Sequence, residues 1–284
     1  HAVMQLCHGM VEFIDRYDAF AKYLNEHGIY VVGHDHLGHG KSVSEGGSFG
    51  YFCEQDPATV VVRDVHRLKK ITEEQYPQVP YIILGHSMGS FIARNYLCRY
   101  GSGIGGAVIV GTGMQPAGLI FASKAMAGIQ KLFCGSKHVS HFIDKAAFGG
   151  YNKRIDSPRT SSDWLSRNTE NVDRYIEDEL CGFTFTVNGF QTLFELIRRL
   201  QKQENLEKVP QNLPILMVSG AEDPVGDYGK GVHKACDSLK RAGVKNITVK
   251  LYENDRHELL NEDDAEVAME DIWQWICKEI PGIA

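Results

Sequence analysis

The 284 residues read as an α/β chain built on a mostly parallel, doubly wound sheet with a helical insertion, and three observations predict this. Short apolar runs alternate with helical patterns over residues 1–112 and again over 212–284. One of those runs ends in Gly85-His86-Ser87-Met88-Gly89 and passes at once into a helical pattern. Between 113 and 211 the alternation stops. Alternating strands and helices place the strands side by side in parallel, with helices covering both faces. The core is therefore expected to comprise 1–112 and 212–284, with 113–211 inserted as helices.

Each element has its own warrant. Val3 to Cys7 is a buried strand running into His8-Gly9-Met10, a turn that keeps a backbone N–H free. A helix follows from Arg16 to Glu26, ended by Gly28. The strand Ile29 to Asp35 leads into the Gly- and His-rich loop from His36 to Ser42. Pro57, pre-set for a first helical turn, opens a helix through Gln75, and Pro77 and Pro80 mark its end. The apolar run from Tyr81 precedes the glycine-flanked serine, and Gly105 to Thr112 forms a further apolar strand. The insertion holds amphipathic pieces such as PAGLIFASKAMAGIQKLF and NGFQTLFELIRRLQKQ. Pro214 to Gly220, a helix around Asp227 to Ala242, the strand Asn246 to Tyr252 and a helix from Asp264 to Ile280 complete the chain.

Composition removes several classes of function. A net charge of −6 lacks the basic face of a nucleic-acid binder. No stretch approaches the roughly 18 apolar residues that cross a bilayer. Seven cysteines without a Cys-x-x-Cys pair fit buried thiols in a reducing compartment, which points to the cytoplasm.

The serine turn carries the chemistry. In a Gly-x-Ser-x-Gly turn the serine sits in a strained conformation that lifts its hydroxyl clear of the sheet edge. A Cβ at Gly85 or Gly89 would strike the neighbouring strand or helix, and the Met88 N–H lies at the positive end of the new helix, where it can donate to an oxyanion. A nucleophilic serine needs a base, and the base an orienting acid. Both are expected on loops at the carboxyl ends of later strands. The loop after Pro214 to Gly220 offers Glu222, Asp223 and Asp227, and the loop after Asn246 to Tyr252 carries His257. Asp223 is favoured because Pro224 restricts its loop, while Asp227 is assigned to capping the next helix near Tyr228. The order Ser87, Asp223, His257 is the order in which this architecture arranges a triad.

These motifs, together with His8-Gly9, the Asp35-His36-Leu37-Gly38-His39-Gly40-Lys41-Ser42 loop, Asp223-Pro224-Val225 and Arg256-His257-Glu258, resemble the monoacylglycerol lipase and lysophospholipase branch of the α/β-hydrolase fold over nearly the whole chain. The resemblance implies Ser87 as nucleophile, Asp223 as acid, His257 as base, and the Met10 and Met88 amides as the oxyanion hole. It also implies that 113–211 is a cap over an acyl pocket and that a lipid ester is the substrate; an acyl-enzyme route needs no cofactor or metal, and transient contact of the cap with a membrane surface stays open. Two features depart from the pattern. Glu12-Phe13 stands where the family has Glu-His, and the family's two opening antiparallel strands have no counterpart before His1, which suggests a trimmed chain or a fragment.

Other readings compete with this one. His34, Asp35, His36 and His39 resemble a metallohydrolase cluster, but Gly38 occupies the place of the ligand aspartate. The same triad and cap also serve carboxylesterases, thioesterases and aminopeptidases; a peptidase needs an acid for the substrate amine, and Glu12, Glu177 and Glu179 are the candidates. A non-catalytic binder would have lost a triad member. Leu119, Ile120, Phe121, Met126, Ile129, Leu132 and Phe133 suit either an acyl chain or core packing.

Overall fold

A computed structural model describes residues 2–283. Its strands β1 (Ala2–Cys7), β2 (Ile29–Gly33), β3 (Tyr81–His86), β4 (Gly106–Val110), β5 (Ile215–Gly220) and β6 (Ile247–Tyr252) form one sheet in the order β2-β1-β3-β4-β5-β6. Every neighbouring pair is parallel. After β2 the chain crosses back over β1 to place β3, so the winding reverses between β1 and β3. Ligands bind outside the carboxyl ends of strands at such a reversal. Cys7 pairs with Gly85 there, which brings the residues after β1 beside the serine turn.

The strands read as continuous apolar runs because both faces are covered. Met4, Leu6, Ile82, Leu84, Val108 and Val110 pack on one side against α1 (Asp18–Glu26) and α10 (Ala265–Glu279). Val3, Cys7, Ile83, Ala107 and Ile109 pack on the other side against α2 (Pro57–Gln75), α3 (Met88–Tyr100) and α9 (Lys230–Arg241). Ile82, Ile83 and Leu84 are buried outright, each side chain contributing about 1.5–3 kcal/mol by leaving water.

Between β4 and β5 lie α4 (Ala117–Cys134), α5 (His141–Phe148), α6 (Thr169–Glu177), α7 (Val187–Leu200) and α8 (Gln203–Leu206). Ser140, Asn168 and Thr186 start α5, α6 and α7 by accepting the Ile143, Asn171 and Gly189 amides, the usual remedy for unpaired N–H groups of a first turn. α7 is rooted in the main core through Phe190, Leu196 and Leu200, and Asn95 of α3 donates to its Leu196 carbonyl at 3.0 Å. α4 is different, burying only Ile120 and Ala127.

Three expected boundaries are corrected. β2 stops at Gly33 rather than Asp35, because the Asp35 carboxylate takes the Ile14 and Lys41 amides and draws the chain off the sheet. The helix expected from Arg16 begins as a 3₁₀ turn over Ile14–Tyr17 and becomes α-helical only at Asp18. α9 starts at Lys230, so Asp227 does not cap it. Asp227, Tyr228 and Gly229 all take left-handed φ values, of 48°, 54° and 84°, and Gly229 is the cap residue.

Candidate active site

Ser87 stands between β3 and α3 at φ 53° and ψ −121°, a conformation that a non-glycine residue holds only when its surroundings force it. Here they do. A Cβ on Gly85 would meet the Gly89 carbonyl oxygen at 2.3 Å, and one on Gly89 would meet the Cys7 carbonyl oxygen at 2.0 Å. The turn is thus pressed between its own helix and the end of β1, while the Ser87 amide donates to the Val110 carbonyl of β4 at 3.0 Å.

The candidate acid and base arrive from the loops after β5 and β6. Asp223 is fully buried. Its Oδ1 accepts the Val225 amide at 2.8 Å, and its Oδ2 faces Ser219 Oγ at 3.2 Å and His257 Nδ1 at 2.9 Å. A carboxylate there makes Nδ1 the protonated nitrogen and leaves Nε2 with a free lone pair. Trp164 packs its ring 5.2 Å from the His257 ring, and the Nε2 side of His86 lies 3.1 Å from the His257 carbonyl oxygen, so both residues fix the candidate base.

Ser87, Met88, Met10 and His257 line one cavity of about 830 Å³, within the size range of small-molecule sites. Its walls between β4 and β5 are largely apolar and include Leu119, Ile120, Met126, Phe148, Leu193 and Phe194. A methyl group on Gly9 would stand 3.2 Å from Ser87 Cβ, so the loop after β1 lies directly against the serine. Among the described residues no acceptor takes up the Met10 or Met88 amide. A carbonyl bound here would meet a hydroxyl, an imidazole lone pair and two free amides, which is the equipment of acyl transfer.

Beneath this loop lies a polar network that sequence reasoning missed. Glu12 accepts from the Gly9 amide, from Tyr17 Oη at 2.7 Å and from Arg16 Nη1 at 2.7 Å. Arg16 also donates to both oxygens of Glu258, next to His257, at 2.7 and 2.8 Å. Asn171 of α6 joins them through Glu258 at 2.7 Å. Burial alone would raise the Glu12 carboxyl, but the His86 hydrogen bond and the Arg16 charge hold it well below the usual carboxylate range. The spacing of Glu12 and Arg16 was a helical i,i+4 signal, although nothing local pointed to Glu258. Phe13, where the resemblance expects His, packs with Leu165, Tyr175 and Cys181.

Several candidates lie elsewhere. His34, His36 and His39 sit below the loop with His8, and among the described residues no group of three or more His, Cys, Asp or Glu side chains converges as a metal site. Glu177 and Glu179 are exposed and outside the cavity wall. Phe121, Ile129, Leu132 and Phe133 face neither the cavity nor the core, being 77%, 58%, 84% and 85% exposed.

A parallel sheet that presents a serine elbow after β3, with a carboxylate and an imidazole on the loops after β5 and β6, is an α/β-hydrolase. The profile of the serine aminopeptidase family S33 matches residues 1–264, and the chain belongs to that family. It is 29% identical to a monoglyceride lipase of Rattus norvegicus over 263 residues, 92% of this chain and 77% of the relative. It is 26% identical to a monoacylglycerol lipase of Mycolicibacterium smegmatis over 98% of this chain and 89% of the relative. The fold matches a thermostable carboxyl esterase from Bacillus coagulans, solved in complex with glycerol, at a TM-score of 0.92 and 30% identity, covering 100% and 91% of the two chains. The chain is a hydrolase of the esterase kind.

Proposed function

We propose that the protein cleaves lipid esters of the monoacylglycerol or lysophospholipid type through an acyl-enzyme on Ser87, with 113–211 as the cap of the acyl pocket. The observation that carries this reading is the forced Ser87 conformation at the mouth of a largely apolar cavity shared with the His257–Asp223 pair. Ser87 Oγ bonds to the ester carbon as its proton passes to His257 Nε2, and the carbonyl electron pair moves onto oxygen between the Met10 and Met88 amides. Collapse breaks the ester C–O bond, and the departing alkoxide takes the proton from His257. Water then gives a proton to His257 as its oxygen bonds to the acyl carbon; the Ser87 Oγ–acyl bond breaks, Oγ takes that proton back from His257, and the fatty acid leaves. Asp223 keeps the imidazole in the required tautomer throughout.

The family description makes aminopeptidase activity the second reading. Its acid anchor is not Glu12, whose oxygens are engaged by Gly9, Tyr17 and Arg16. Asp144 of α5, half-buried, and Asp227 remain as carboxylates on the cavity wall. Turnover of a monoacylglycerol and a p-nitrophenyl ester, set beside an aminoacyl anilide, decides between the two. The esters are expected to turn over and the anilide is not, with a fluorophosphonate labelling the peptide that contains Ser87. Anilide cleavage exceeding ester cleavage would move the assignment to a peptidase.

The exposed row on α4 supports contact between the cap and a lipid surface, since apolar side chains at this exposure gain free energy in an acyl layer. Among the described residues no helix is long and apolar enough to cross a membrane, so the contact would be interfacial. Phe121→Asp combined with Leu132→Asp is expected to lower hydrolysis of long-chain monoacylglycerol in vesicles by about 10-fold or more while leaving p-nitrophenyl acetate turnover unchanged. Equal losses on both substrates would assign these residues to holding the fold.

A further inference from the structure

His8 is fully buried and takes no part in the reaction as written above, yet its two ring nitrogens are both committed. The His36 amide, which can only donate, points at Nε2 from 2.9 Å. Nε2 is therefore the acceptor, and the single proton of the neutral ring sits on Nδ1. Nδ1 lies 2.8 Å from the Gly9 carbonyl oxygen, so the ring donates to Gly9. Gly9 O and Met10 N–H belong to the same peptide unit, and the chain has no cis peptide among the described residues. In a planar trans peptide the carbonyl and the following N–H point in opposite directions. Fixing Gly9 O against His8 therefore aims the Met10 N–H away from the buried histidines. Ser87 is the neighbour there: an added methyl on Gly9 would stand 3.2 Å from Ser87 Cβ, and Met10 lines the same cavity as Ser87.

Resting on the reading of Met10 as an oxyanion donor, we infer that His8 is a positioning residue of the oxyanion hole: its Nδ1–H holds the Gly9–Met10 peptide so that the Met10 amide faces the carbonyl attacked by Ser87. The His36 amide selects the tautomer that makes this possible. Burial, with the neighbouring His39, drives the His8 imidazole down to about 3, so the ring stays neutral across the ordinary working range. A charged ring would turn Nε2 into a donor facing the His36 N–H and break the arrangement.

A free backbone amide in a Gly-containing loop could turn either way. Preorganisation, the property that makes an oxyanion hole effective, requires that the amide already point at the developing charge. The loop's other tie, from the Gly9 amide to Glu12, restrains the preceding peptide unit and leaves the Gly9–Met10 plane to His8. The two ties act on adjacent peptides.

The test is His8→Phe, which keeps ring size and removes both polar atoms, with His34→Phe as its matched control. His34 is a neighbouring histidine whose ring nitrogens have no partner among the described residues. For His8→Phe, kcat on a p-nitrophenyl ester is expected to fall about 10- to 100-fold with KM little changed, part of the loss seen when an oxyanion donor is removed entirely. The inhibition constant of an alkyl trifluoromethyl ketone, whose adduct places an oxyanion in the same hole, is expected to weaken by the same factor. His34→Phe is expected to change neither. Folded His8→Phe that keeps wild-type kcat, or that loses kcat without loss of ketone affinity, overturns the inference. Should His8→Phe fail to fold, His8→Asn replaces it under the same criteria, because its shorter amide cannot meet both Gly9 O and the His36 amide. Ser87→Ala, assayed in parallel, separates the two levels: retained activity there removes the underlying reading, whereas an inactive Ser87→Ala beside a fully active His8→Phe removes only the role of His8.

Discussion

Ser87→Ala is expected to lower kcat on a p-nitrophenyl ester by on the order of 10⁶-fold, since losing the nucleophile costs about as much as losing a whole triad. The fold is expected to survive. Among the described residues the Ser87 hydroxyl makes no hydrogen bond, and the contacts that hold its backbone are made by its amide and carbonyl. Alanine inherits the same strained φ and the same main-chain partners, so the thermal midpoint should stay close to that of the parent. Both quantities are needed. A variant that keeps its midpoint and its activity would remove Ser87 from the chemistry, whereas one that loses both would show that the turn itself had collapsed.

Asp223→Asn is the second large effect, and the structure explains its direction. The Val225 amide approaches Oδ1 at 2.8 Å and can be satisfied only by an acceptor. Asparagine must therefore keep its oxygen on that side and turn its NH₂ group toward His257 Nδ1. A donor there forces the proton of the neutral imidazole onto Nε2, the atom that receives the Ser87 proton in the proposed mechanism. kcat is expected to fall by up to about 10⁴-fold with KM little changed. Asp227→Asn serves as the comparison. Asp227 is exposed at φ 48°, a conformation asparagine tolerates well, and its kcat is expected to stay within a small factor of the parent. A larger loss in Asp227→Asn than in Asp223→Asn would transfer the acid role.

The sheet was legible in the sequence wherever burial on both faces left an apolar run between breakers, as in Ile82 to Leu84 and Ile215 to Val218. α2 was legible to the residue because Pro57 opens it. The serine elbow and the order of the two later loops followed from local pattern and the geometry of parallel sheets. What escaped was what no window could contain. Arg16 meets Glu258 across 242 positions, and Trp164 reaches His257 from an irregular stretch with no periodicity to announce it. Asp227 was misassigned because an aspartate before a helical pattern looks like a cap, and only the run of left-handed φ values ending at Gly229 reveals otherwise. On α4, Leu119, Ile120 and Met126 line the cavity, but Phe121, Ile129, Leu132 and Phe133 were misread because periodicity finds a face without saying what the face meets.

The Arg16–Glu258–Asn171 contact makes the two ends of the inserted segment mechanically unequal. α6 is tied through Asn171 to Glu258, one residue beyond the base, and α7 is bolted to α3 and α2 through Asn95, Asp56 and Thr59. α4, by contrast, buries two side chains, carries its apolar row outward and is joined to α7 through the Lys124–Glu195 ion pair. On the cap reading proposed above, α4 and α5 are therefore the elements held by the fewest ties to the base loop. On that same reading, a bulky acyl chain is expected to be accommodated by shifts of α4 and α5, leaving the Arg16–Glu258–Asn171 tie beside His257 in place.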